Sequence, residues 1–81
     1  MDLEAEIKEA LKKQAALQTL REIVCRYKHS GGTQQEAYIT LEKIRCEQIE
    51  ESSEDRILEL MDFVSGFCSK EQRIWDEVLV N

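Results

Sequence analysis

The chain has 81 residues, 42% apolar and 35% charged, with no proline, a formal net charge of −6 and an isoelectric point near 4.8. That length supports one small core and a single domain, 1–81, and the composition is too apolar for a disordered chain. No stretch reaches the roughly 18 apolar residues of a membrane span, and so acidic a chain lacks the positive potential that dominates phosphate affinity, so neither membrane insertion nor nucleic-acid binding is expected.

From about Leu3 to Tyr27 the apolar residues Leu3, Ile7, Ala10, Leu11, Leu17, Leu20, Ile23, Val24 and Tyr27 recur at three- and four-residue intervals. This spacing predicts one amphipathic helix over 3–28. At about 1.5 Å per residue it would run on the order of 37 Å. Acids occupy its first turn and no apolar signal-like segment is present, so a cytoplasmic location is expected. His29, Ser30, Gly31 and Gly32 then reverse the chain.

Thr33 and Glu36 have the spacing of a reciprocal capping box, which predicts a second helix over 33–50 with Ala37, Tyr38, Leu41 and Ile44 inward, followed by Gln48 or Ile49. Ser52 and Asp55 repeat the capping pattern in shorter form, so the third helix is placed at 53–67. Ile57, Leu58, Leu60, Met61, Val64, Phe67 and Cys68 make it the most apolar element and the expected centre of the bundle. Gly66 either ends it early or permits a close crossing. Ser69 stands at capping distance from Glu71 and Gln72, predicting a last helix over 70–80 with Ile74, Trp75, Val78 and Leu79 facing inward. No period-two stretch competes, so the fold class is all-α, a small antiparallel bundle of about four helices.

Little here suggests catalysis. His29 is the single histidine, and its nearest acid in sequence is Glu36, so no hydrolase motif or metal-binding pair forms locally; an enzyme, a cofactor and a metal are not expected. Cys25, Cys46 and Cys68 lack paired spacing and read as reduced, buried small apolar residues. A DNA-binding helix-turn-helix over 33–68 fails too, because Ser53, Glu54 and Asp55 would bring negative charge to phosphate.

Charge placement is more informative. The nine residues EQIEESSED, 47–55, hold five acids and no base, which leaves the other 72 residues with 12 acids against 11 bases. Glu47, Glu50, Glu51, Glu54 and Asp55, continued by Glu59 and Asp62 at helical spacing, are the candidate partner-binding residues, and the partner expected for them is a basic protein. Glu54 and Asp55 also suit a helix N-terminus, whereas Glu47, Glu50 and Glu51 would crowd the C-terminus of the second helix, where the dipole disfavours them. Tyr38 or Trp75 could add an aromatic anchor if exposed. A homodimer formed through excess apolar surface on the first and third helices is the alternative.

The segment DRILELMDFVSGFCSKEQRIW, 55–75, resembles the closing part of small bacterial proteins of about this length, in which an ILxLMDFVxGxC helix precedes a capping serine and an RIW ending. TQQEAYITLEKIR, 33–45, is similar to their middle helix, with Glu36, Ala37, Tyr38 and Leu41 as the matching positions. The two segments cover about half the chain. The resemblance implies a small acidic helical protein without a catalytic motif, a class in which immunity proteins of bacterial toxin systems are common. It implies no particular site residue.

Overall fold

Asp2 starts the first helix, its carboxylate accepting from the Ala5 backbone N–H at 3.2 Å. The computed structural model describes residues 2–47, 50–66, 70–75 and 78. Four α-helices follow in order: α1 (Leu3–Lys12), α2 (Leu17–His29), α3 (Gln34–Cys46) and α4 (Glu51–Ser65), with a 3-10 turn at Lys70–Gln72. The architecture is a small all-α bundle, as its periodicity predicts. Among the described residues no helix is long and apolar enough to cross a membrane.

The helix predicted over 3–28 is two helices. Lys13 caps α1, Gln14 takes a left-handed φ of 56°, and the Ala15 N–H returns to the Ala10 carbonyl while the Gln14 N–H reaches that of Leu11. These two bonds make a Schellman ending with glutamine in the position usually held by glycine. The reason for the break lies in length. The longest dimension of the molecule is 29 Å, and α3, at 13 residues, spans about 20 Å, too little to cover a 37 Å apolar stripe. Folding back lets Leu20, Ile23 and Val24 of α2 share one core with Leu3, Ile7 and Ala10 of α1.

Each helix contributes a buried row: Ala37, Leu41 and Ile44 come from α3, and Ile57, Leu60, Met61 and Val64 from α4. α1 packs on α2 and α3, and α4 packs on α3 and α2. α1 and α3 run parallel, because Glu4 meets Lys43 and one turn further along Lys8 meets Glu47. α3 and α4 are antiparallel: Gln34, at the start of α3, donates to the Val64 carbonyl near the end of α4 at 2.8 Å.

Two tight turns depend on glycine. Gly32 lies against the Tyr27 ring so closely that a Cβ there would overlap it. Gly66, with φ 90°, ends α4 in the left-handed conformation, which resolves the choice left open by the sequence.

Other boundaries also shift. α3 stops at Cys46 instead of residue 50, and α4 begins at Glu51 instead of residue 53. Both shifts follow the dipole: acids at a helix C-terminus are unfavourable, and the same acids open the next helix favourably. Thr33 caps α3 by accepting from the Glu36 N–H, but the Glu36 carboxylate does not return to Thr33; it accepts instead from the Tyr27 hydroxyl at 3.0 Å.

The helix predicted over 70–80 is not formed by the described residues, which give a single 3-10 turn and then irregular chain at 73–75 and 78. Tertiary bonds replace the helical ladder. The Ile74 N–H donates to the Phe63 carbonyl, Lys28 Nζ to the Ile74 carbonyl, and Arg73 Nε to the Gly66 carbonyl. Ile74 is buried as expected, and Trp75 is half-buried with the Lys28 ammonium 5.8 Å from its ring centroid. Val78 is exposed, contrary to its expected inward placement. The predicted positions of Gln48, Ile49, Phe67, Cys68, Ser69, Leu79 and Val80 lie outside the described residues.

Candidate functional site

The seven acids expected to form one surface divide into two groups. Glu47 caps the end of α3 and its carboxylate stands 2.9 Å from Lys8 Nζ, while Glu50 is the N-cap residue of α4. Neither crowds a helix C-terminus unneutralised: Lys8 answers Glu47, and Glu50 with Glu51 opens α4. Both Glu47 and Glu50 border a cleft of about 450 Å3 between the ends of α1 and α3 and the start of α4. Leu11 is its accessible apolar wall, with the fully buried Ile44 behind it; Lys8 and Lys12 stand on the α1 side, and Ser53 on the α4 side.

The second group is Glu51, Glu54, Asp55, Glu59 and Asp62, all exposed on α4. At 100° per residue they occupy an arc of about 140°, and from Glu51 to Asp62 they extend about 16 Å along the axis. Within the arc is Leu58, 38% exposed, one of the residues that make this helix the most apolar in sequence. Arg56 is the one base on α4, and its guanidinium points away from the arc, donating to the Ala15 carbonyl at 3.1 Å. Among the described residues none of these five acids has an ion pair. The face is therefore an exposed leucine flanked by uncompensated carboxylates, Glu54 on one side and the other four on the opposite side.

Ion pairing is concentrated elsewhere. Glu4 bonds Lys8 at 2.8 Å and Lys43 at 3.1 Å, and Lys8 also reaches Glu47, linking α1 to α3. The hydrogen bonds from Lys8 and Lys43 hold the Glu4 carboxyl below its ordinary value, and those to Glu4 and Glu47 raise Lys8. Burial, followed by the hydrogen bond to Glu36, raises the Tyr27 hydroxyl.

Compared with known proteins, the chain matches no family model, no curated protein and no solved structure.

Tyr38 and Trp75 are both half-buried against the core. The apolar element in the α4 face is Leu58 instead, and spacing alone gave its signal, since it sits midway between Asp55 and Asp62 on the exposed stripe. Ser53, expected at the start of a helix, is buried one turn inside α4. Cys25 is half-buried and Cys46 exposed, so the expectation of burial fails for Cys46, which falls on the outer face of α3 with Glu42 and Lys43. Among the described residues no three His, Cys, Asp or Glu side chains gather as a metal site.

Proposed function

We propose that the chain is a non-enzymatic protein-binding domain that acts as an immunity protein or inhibitor, neutralising a basic, nuclease-like toxin through the outer face of α4. One observation carries this reading: five exposed carboxylates share one face with an exposed leucine, and none of them has an ion pair among the described residues. Such charge accelerates encounter with a basic surface, and a central apolar side chain supplies contact that survives desolvation. The resemblance of 55–75 to small acidic bacterial proteins favours the same class.

Capture from the source cell at low salt, with elution at high salt, is expected to yield a basic protein. With that partner in hand, reversing Asp55, Glu59 and Asp62 to lysine should slow association and weaken binding by about tenfold or more. These three are chosen because Glu51 and Glu54 also stabilise the start of α4. An unchanged on-rate and affinity in a folded variant would refute the acidic-face mechanism.

Ile39, 55% exposed on α3, favours a second reading, a homo-oligomer joined through that helix. Sedimentation that changes with protein concentration, and is abolished by Ile39→Lys, is its signature.

A further inference from the structure

The cleft at the start of α4 differs in kind from the open acidic face beside it. Ser53 is 8% exposed, yet its hydroxyl makes no hydrogen bond to any described residue. No fully buried side-chain polar atom among the described residues lacks a partner, so the Ser53 oxygen itself is reachable, and the cleft it lines is the opening. A polar group enclosed this way and left without a protein partner is suited to bonding a ligand.

We infer that this cleft is the socket for an arginine side chain of the partner, with the aliphatic stem on Leu11 and the guanidinium donating to Ser53 Oγ and the Glu50 carboxylate. The inference rests on the binding role proposed for the neighbouring face and adds the anchor.

Electrostatics selects a cation over an anion. Lys8 lies between Glu4 and Glu47 and is already neutralised, and Lys12 is exposed, where water screens its charge. Glu50 has no ion pair among the described residues. The N-terminus of α4 contributes about half a positive charge, which the Glu50 carboxylate outweighs, and the C-termini of α1 and α3 each add about half a negative charge at the cleft. Arginine fits better than lysine because its planar fork can bond a hydroxyl and a carboxylate together while its stem lies on apolar surface. Buried arginines are also common interface anchors.

The test is a nuclear magnetic resonance titration of the full chain at low salt with a tetra-arginine amide. Saturable shifts of the Leu11 methyls and the Ser53 amide are expected, with Ser53→Ala weakening them about three- to tenfold and leaving the α4 face shifts in place. Because that hydroxyl has no described partner, the variant should fold normally, and an unchanged amide spectrum elsewhere verifies this. Shifts confined to Asp55, Glu59 and Asp62 would overturn the socket while leaving the acidic-face reading standing. So would cleft shifts that Ser53→Ala leaves unaltered. Absence of saturable binding anywhere would remove both.

Discussion

Gln14 holds a left-handed backbone, the one non-glycine residue with positive φ among those described. That conformation costs a residue with a Cβ roughly 1–2 kcal/mol, whereas glycine adopts it freely at the expense of about 0.4–1 kcal/mol of extra freedom in the unfolded chain. Gln14→Gly is therefore expected to stabilise the fold by about 0.5–1 kcal/mol in urea denaturation. In a continuous helix the same change would destabilise by about that much, so the sign tests the break directly. Gly32 predicts the reverse. A Cβ at this position would displace the Tyr27 ring and disturb its bond to Glu36, so Gly32→Ala should cost about 1–3 kcal/mol. Tyr27 should then titrate nearer its ordinary value, because both burial and the Glu36 contact that raise it are weakened. Loss of stability with an unmoved Tyr27 titration would place the damage elsewhere.

At the scale of elements, the bond from α1 to α3 depends on pH in a defined direction. Glu4 has a lowered pKa in the fold, so its contribution is complete above the ordinary value of 4.5 and disappears as pH falls through the lowered one. Lys8 is raised, so its share is complete below 10.5 and is lost as pH rises beyond it. The difference in Tm between the parent and Glu4→Gln should be constant at neutral pH and shrink toward zero in acid; a difference that grew with acidity would contradict the assignment. These pairs join residues 39 apart and were invisible in sequence, whereas Thr33 as the cap of α3 was legible because its partner is three residues away. The break in 3–28 was legible in principle. Extended as one helix, the buried row of Leu3, Ile7 and Ala10 and that of Leu20, Ile23 and Val24 would point about 110° apart, too far to share a face. The six-residue step from Leu11 to Leu17, between runs of three- and four-residue steps on either side, is where the direction changes. The acidic run was plain from composition, but its division between cleft and helix face depended on where α4 begins.

For the whole molecule, the response to salt follows from comparing lengths. At about 10 mM salt the screening length is about 30 Å, close to the 29 Å longest axis, so every charge feels the net −6; at about 100 mM it is about 10 Å. The ion pairs of α1 and α3, between 2.8 and 3.6 Å, are far shorter than either length and retain most of their modest attraction. Repulsion between distant acids does not. On α4 itself, Glu51 with Asp55 and Asp55 with Glu59 are like-charged neighbours four residues apart, each unfavourable by roughly 0.2–0.5 kcal/mol and eased by counter-ions. Relief of repulsion therefore outweighs loss of attraction, and Tm should rise between about 10 and about 150 mM sodium chloride. Binding of a basic partner to the α4 face should weaken over the same range, because there the long-range term is attractive. Stability and affinity are thus expected to move in opposite directions with salt. The same acids resist folding and recruit the partner, so neutralising Asp55 and Glu59 to Asn and Gln should flatten both slopes together. A variant that flattened the Tm slope and left the salt dependence of binding intact would assign recognition to another surface.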